Sequence, residues 1–347
     1  MPYTPPFSIT PTILKQVAEI SENIGRLSVR IEQTQAVRLR RANRIRTVQG
    51  SLAIEGNTLS EAQITAILDG KRIIAPPKEV LEVQNALKAY EFLSTWQYSR
   101  EQDLRHAHQV LMAGLLNDAG HYRQGGVGVM SGDKVVHMAP GADQVPRLMK
   151  ELLTWLKQAE LPALISSCVF HYEFEFIHPF ADGNGRMGRL WQTLILSQWQ
   201  PAFMDIPVES LIHQHQAEYY QAIRTSTAKT DCAPFIEFML GIIAKTLQEV
   251  QNTTESELAA ENETMRVKTQ VKTRVKTPEQ ILNLLTNQPT LTLADIAAHL
   301  GKSPSTIERA VAKLKQQNKL AFHGPKKGGY WKVLASELKD EYGQSNQ

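Results

Sequence analysis

Residues 178 to 189 read His178-Pro179-Phe180-Ala181-Asp182-Gly183-Asn184-Gly185-Arg186-Met187-Gly188-Arg189. The Gly183-Asn184-Gly185 step constrains the fold most, because it precedes a run through Leu190, Trp191, Leu194 and Ile195 with apolar residues at helical spacing. The glycines therefore form a turn into a helix. At such a turn backbone N–H groups approach an anion closely, and the helix N-terminus adds partial positive charge. Arg186 and Arg189 are three apart, so they share a helix face and can grip neighbouring phosphates. Asp182 suits magnesium, which takes one or two carboxylates plus phosphate oxygens and water. His178 brings an imidazole, which can accept a proton from an incoming hydroxyl. Taken singly, a His before Pro-Phe is commonly a packed residue, Asp-Gly a turn, and an arginine pair a solvated face. Their joint occurrence carries the argument for a magnesium-polyphosphate site beside an acid-base imidazole.

The string matches the signature His-Pro-Phe-x-(Asp/Glu)-Gly-Asn-Gly-Arg-x-x-Arg at every fixed position, and by it the chain resembles the Fic family. Fic proteins mostly transfer AMP from ATP to a Ser, Thr or Tyr hydroxyl of a protein. The resemblance implies His178 as general base, Asp182 as magnesium ligand and Gly183, Asn184 and Gly185 as anion cradle. It likewise implies Arg186 on the β-phosphate, Arg189 on the γ-phosphate and Phe180 as a buried wedge. Doc-type kinases carry Lys where Gly185 stands and lack the second arginine, which favours nucleotidyl transfer here.

Upstream, Ser51-Leu52-Ala53-Ile54-Glu55-Gly56-Asn57 places an acid beside helix-stopping residues. An acid at a helix C-terminus opposes the macrodipole, so Glu55 either faces solvent before a turn or has a partner elsewhere. Ser51, Glu55 and Gly56 resemble the Fic inhibitory motif (Ser/Thr)-x-x-x-Glu-(Gly/Asn). That likeness implies a Glu55–Arg189 pair that denies the γ-phosphate its arginine.

The 347 residues suffice for two or three domains. No apolar run reaches membrane-spanning length, and Met1-Pro2-Tyr3-Thr4-Pro5-Pro6-Phe7 lacks the charged and apolar regions of a signal peptide. Cys168 and Cys232, the only cysteines, sit among apolar neighbours and read as small core residues. These features point to a reducing cytoplasm. From Met265 to Leu334 the chain carries 13 Lys and Arg against 3 Asp and Glu, +10 within a whole-chain net of +3, so the remainder is −7. That split suggests two partners of different character.

Helical patterning dominates, starting with Ile20, Ile24, Leu27 and Ile31 and with a basic cluster, Arg38, Arg40, Arg41, Arg44 and Arg46, read as a solvated face. Helices are expected over Glu61–Leu68, Gln144–Lys157, Ala163–Phe174, Arg186–Gln198, His213–Ala228 and Pro234–Val250. Val127-Gly128-Val129-Met130 and Val135-Val136-His137-Met138 flank a Gly-Asp turn and read as a β-hairpin with free edges. Its Gly-x-Tyr-Arg lead-in and downstream His-x-x-Pro resemble the Fic flap, which holds the target by strand addition; Val127, Val129, Met130, Val135 and Val136 are the candidate contacts. Tyr220 is read as core or, by the resemblance, as part of the adenine pocket. Val-Lys-Thr repeats at 267–277 suit a basic linker or a prolonged helix.

Helices at Pro278–Leu285, Leu293–Leu300 and 303–315, then strands at 320–323 and 330–333 around a Gly-rich basic tip, resemble a winged helix-turn-helix domain. The third helix would offer Ser303, Ser305, Thr306 and Arg309 to a DNA groove, with Lys326 and Lys327 on phosphates; many winged helices mediate only protein contacts. The expected class is mainly α, a Fic helical-bundle core with a small hairpin flap plus a C-terminal winged helix. The expected division is an N-terminal helical region 1–100 (motif 51–56), a catalytic core 101–250, a linker 251–277, a winged helix 278–335 and a tail 336–347. The leading function is an autoinhibited adenylyltransferase using ATP and Mg²⁺ on a target protein, itself included, with a homodimer open to it. A DNA-binding regulator with a nucleotide-sensing domain and an AMP-removing enzyme are the alternatives.

Overall fold

The computed structural model describes residues 3–33, 36–126, 128–131, 134–272, 276–325 and 328–334, with side chains described except at 28–33, 36–39, 128–131, 134–138 and 254–272. The chain divides into two compact units, Met1–Glu255 and Ser256–Gln347.

The first unit is helical: α1 Pro11–Gln33, α2 Ala36–Ile54, α3 Glu61–Leu68, α4 Pro77–Phe92, α5 Glu101–Leu111, α6 Val145–Gln158, α7 Ala163–Ile177, α8 Asn184–Trp199, α9 Val208–Gln214, α10 Gln216–Lys229 and the start of α11, Ala233–Lys272. Local chemistry sets several boundaries. Ser60 and Gln63 form a reciprocal capping box that starts α3, and Pro77 and Pro146 stand in the first turns of α4 and α6.

Helix α7 is the centre, buried at every position from Leu164 to Glu175, polar residues included. One side carries Phe170 and Phe174 into a cluster with Val48, Leu52, Val83, Leu111, Met149 and Trp191. The other carries Leu164, Cys168 and Val169 into a second cluster with Ile13, Ile20, Phe235 and Met239. Both clusters draw on residues either side of position 100. Cys168 and Cys232 are free and buried, and burial pushes the Cys168 thiol up to about 12.

Two close approaches fix α2. A β-carbon on Gly50 would lie 2.6 Å from the Ser210 backbone, so only glycine admits α9 there. The Gln216 amide also donates to the Ile54 carbonyl at 2.8 Å. The helix expected over 213–228 is broken at His215, where φ is −111°, and the turn aims Gln216 at the end of α2. In the basic cluster, Arg40, Arg41 and Arg46 are exposed and face Asp205, Asp69 and Glu61.

Strands β1 Gly128–Ser131 and β2 Lys134–Met138 form a two-stranded antiparallel hairpin, Val129 opposite His137 and Met130 opposite Val135, with a register shift between Val129 and Met130. No third strand pairs with it among the described residues. Val127 lies outside the described residues.

The second unit holds α12 Thr277–Asn287, α13 Leu293–Leu300, α14 Pro304–Gln316 and the antiparallel strands β3 Leu320–His323 and β4 Tyr330–Val333. Thr292 and Asp295 cap α13 reciprocally, and Gly301 ends it at φ 59°. Ile281, Ile296, Ile307, Val311, Leu320 and Trp331 form its core. Lys326 and Lys327 lie outside the described residues. Among the described residues no helix is long and apolar enough to cross a membrane.

Candidate active site

Helix α7 ends in a residue that chains rarely place in the left-handed region. His178 has φ 51° and ψ 62°, and its N–H caps the helix on the Phe174 carbonyl at 2.9 Å. A non-glycine residue holds that conformation only where its surroundings over-determine it. Here they do. Arg123 donates from Nε to the His178 carbonyl at 2.7 Å, and Phe180 is fully buried two residues on, stacked on the His108 ring at 3.7 Å. Asn184 closes the loop, its Oδ1 accepting from the Phe180 N–H and its Nδ2 donating to the Phe180 carbonyl, both at 2.9 Å. Gly183 turns into α8 at φ 80°.

His108 is a structural partner that sequence reasoning passed over. Its Nδ1 accepts from the Gly120 N–H at 2.8 Å, so Nε2 carries the proton and donates to the Asp182 carbonyl at 3.0 Å. Burial depresses this imidazole to about 4, which keeps it neutral. The one available signal was its place among Leu104, Ala107 and Leu111 on the buried face of α5.

The Asp182 side chain is 60 % exposed, and its Oδ1 accepts the Gly183 N–H at 2.6 Å. Among the described residues nothing bonds the second oxygen, which is open to an external cation. A single hard, anionic oxygen fits a magnesium ion that brings phosphate and water as its other ligands. Gly183, Asn184 and Gly185 occupy the start of α8, where the first N–H groups have no carbonyl one turn back. The Asn184 side chain is committed to the loop, so only its backbone faces this turn.

The two arginines are held differently. Arg189 is 2 % exposed. Its Nε donates to Ser51 Oγ at 3.1 Å, and its Nη2 donates to the Ser51 carbonyl at 2.9 Å and to Glu55 Oε1 at 2.7 Å. Burial alone would lower its affinity for a proton; the Glu55 carboxylate, through its charge and its hydrogen bond, holds it above the ordinary range instead. Glu55 lies just past α2, and Gly56 follows at φ 89°. A β-carbon on Gly185 would lie 2.6 Å from Glu55 Oε1, so the glycine admits the acid to the helix start. Arg186 instead faces Glu82 at 3.6 Å and Asp182 at 3.5 Å. Among the described residues its buried Nε has no hydrogen-bond partner. Glu82 in turn accepts from Asn57, beside the inhibitory motif, at 2.9 Å.

Behind His178 lies a buried carboxylate. Glu175 Oε2 is 3.9 Å from His178 Nδ1, and Oε1 is 3.9 Å from His171 Nε2. Burial raises Glu175 to about 7, against the pull of Arg189. His171 donates from Nδ1 to Gln192 at 2.7 Å, so its Nε2 accepts from the Tyr219 hydroxyl at 3.0 Å. Tyr219 is core, whereas Tyr220 is half-buried with its ring 5.3 Å from that of Tyr219. Burial and the Glu55 charge raise the Tyr220 phenol.

In the second unit, Ser303, Ser305 and Arg309 are exposed and Thr306 is half-buried, all at the start of α14. Ser303 Oγ lies 2.8 Å from Thr306 Oγ1, and Arg309 donates to the Ser305 carbonyl at 3.3 Å.

Residues 98–196 match the Fic/DOC family, and residues 275–320 match the winged helix-turn-helix DNA-binding family. Among curated proteins, the protein adenylyltransferase Fic of Aedes aegypti is 29% identical over 215 residues, 58% of this chain and 41% of that protein. The protein adenylyltransferase fic-1 of Caenorhabditis elegans is 28% identical over 240 residues, 65% of this chain and 44% of that one. The chain thus spans less than half the length of these curated relatives. A crystal structure of a Fic family protein from Desulfovibrio desulfuricans G20 is 41% identical, covers 99% of this chain and 100% of that one, and superposes with a TM-score of 0.71. At 41% identity over 99% of this chain and 100% of that one, the likeness shows the family, and this chain belongs to the Fic family.

Proposed function

We propose that the chain is an autoinhibited protein adenylyltransferase. The observation that carries this reading is the Arg189 guanidinium bonded at 2.7 Å to Glu55 beside an intact His178 turn. ATP would lie with its phosphates on the first turn of α8 and on Arg186. Asp182 would hold Mg²⁺, which when bound would neutralise phosphate charge. The β1–β2 edge would take an extended target segment by strand addition, which reads backbone and needs no fixed sequence. His178 would accept the proton of a Ser, Thr or Tyr hydroxyl as its oxygen bonds the α-phosphorus. The bond from that phosphorus to the bridging oxygen breaks, and pyrophosphate leaves. Arg189 would steady the γ-phosphate once Glu55 is displaced, and Tyr220 would border the adenine. The target is a protein, the same chain included, in a cytoplasmic setting.

The test is incubation with labelled ATP. Glu55→Gly is expected to raise AMP incorporation, self-labelling included, by about tenfold or more, since a bidentate-capable arginine is freed for the nucleotide. Equal incorporation by variant and parent would overturn the brake.

The family match of residues 275–320 supports a second partner, DNA, read by the start of α14. If about four phosphates are contacted, a fourfold rise in salt lowers affinity about 100-fold through counterion release. Fluorescence anisotropy on a duplex measures this; no binding at low salt removes DNA from the reading.

A further inference from the structure

One side chain joins the hairpin to the catalytic turn. We propose that Arg123 is a positioning residue that sets the register of the β1–β2 hairpin against His178. The inference rests on the transferase reading above, because that reading makes the distance between strand edge and imidazole matter.

Arg123 precedes the hairpin and is 5 % exposed. Its guanidinium divides between two groups of carbonyls. On the hairpin side, Nη1 donates to Gly125 at 2.8 Å and Nη2 to Pro140 at 2.5 Å, one residue on each flank of the strands. On the catalytic side, Nε donates to His178 at 2.7 Å and Nη2 to Ile177 at 3.3 Å. Its own backbone N–H donates to the Pro179 carbonyl at 2.9 Å.

No carboxylate pairs with Arg123 among the described residues, so its directional donors go to main-chain oxygens. A planar guanidinium can satisfy carbonyls on two sides in a fixed geometry; an ammonium on a flexible stem cannot. One of the carbonyls it grips belongs to His178, the residue in the left-handed conformation, which relaxes most readily if its support is lost. Among the described residues the hairpin is a two-stranded unit without a larger sheet, and such a unit is marginal without outside anchors. Arg123 supplies the anchor and ties it to the turn that carries the base.

The experiment compares Arg123→Ala and Arg123→Lys, each in the Glu55→Gly chain, by three measurements. Calorimetric affinity for Mg·ATP should stay within about threefold, because Arg123 touches none of the nucleotide-binding groups. Amide hydrogen exchange at 124–141 and at 177–181 should quicken together, by about tenfold or more, since both segments lose one shared anchor. Initial AMP incorporation should fall by about 30-fold in the alanine variant, as a misplacement near 1 Å costs up to about 100-fold. Faster exchange in only one segment, no change in either, or an even rise throughout α7 and α8 overturns the proposal. Should Arg123→Ala fail to fold, Arg123→Lys, which keeps the charge and bulk, decides by the same exchange pattern. If Glu55→Gly alone incorporates no AMP, the transferase reading fails while the exchange measurement still tests the anchor.

Discussion

Arg186 and Arg189 stand three residues apart on one face of α8, yet their surroundings differ sharply. Arg189 sits in a closed set of bonds to Ser51 and Glu55. Arg186 has two carboxylates at 3.5 and 3.6 Å and a buried Nε with no partner among the described residues. The difference teaches how such a site can be stable and still poised. A buried arginine held by three hydrogen bonds, one of them to a carboxylate, is costly to disturb, whereas one with a buried donor left over gains by meeting a phosphate. On the proposed reading the nucleotide would dock through Arg186 without moving Glu55, while use of Arg189 would require the acid to leave.

The largest expected effect lies outside both arginines. His178→Ala should lower AMP incorporation by about a thousandfold with Glu55 present or absent, the scale of a lost general base. If Glu55→Gly, His178→Ala still incorporates AMP near the Glu55→Gly rate, the contrast between the arginines concerns something other than transfer. Next comes Glu55→Gly itself, whose expected gain tests the closed half of the comparison. Glu82→Gln tests the open half. It removes a charge facing Arg186 but keeps an acceptor for Asn57, so Mg·ATP affinity should rise by about fivefold, the upper range of a weakly held pair. Incorporation should stay low because Glu55 remains. Weaker ATP binding would mean that Glu82 holds Arg186 in its working position.

The smallest effect concerns pH and the ground behind both arginines. His171, depressed to about 3, contributes stability that is complete above about pH 6.5 and is lost as pH falls towards 3. Glu175, raised to about 7, contributes in the opposite sense: its stability is complete below about pH 4.5 and lost as pH rises through 7. Glu175→Gln removes the opposing contribution. Unfolding free energies from urea titrations should then climb more steeply between pH 4.5 and 6.5 than in the parent, by up to about 1.4 kcal/mol per pH unit. Parallel curves would show that Glu175 keeps its charge when folded.

Much of the site was legible because its chemistry is local. The 178–189 string specifies a turn, a helix start, an acid and two cations within reach of one another, whatever packs around them. Glu55 was legible as an acid with a conflict, since it follows a helix end that repels it. The capping box at Thr292 and the stop at Gly301 are likewise short-range. Other features depend on neighbours that no spacing reveals. His108 lies 74 residues before the Asp182 carbonyl it supports, Glu82 reaches Arg186 from α4, and the break at His215 serves a contact with Ile54. Each is an ordinary residue on an ordinary helix until packing chooses its partner.

The amino-acid order alone dictated which groups can bind phosphate, which can move a proton, and where the chain must turn to present them, because those properties need only residues close in the chain. Packing of α2, α4, α5 and α7 around α8 decided which of those groups are occupied, which carboxylates burial makes hold a proton more tightly and which carbonyls Arg123 gathers. Burial and bond directionality act through space, and a linear string holds no record of which distant atoms will share it.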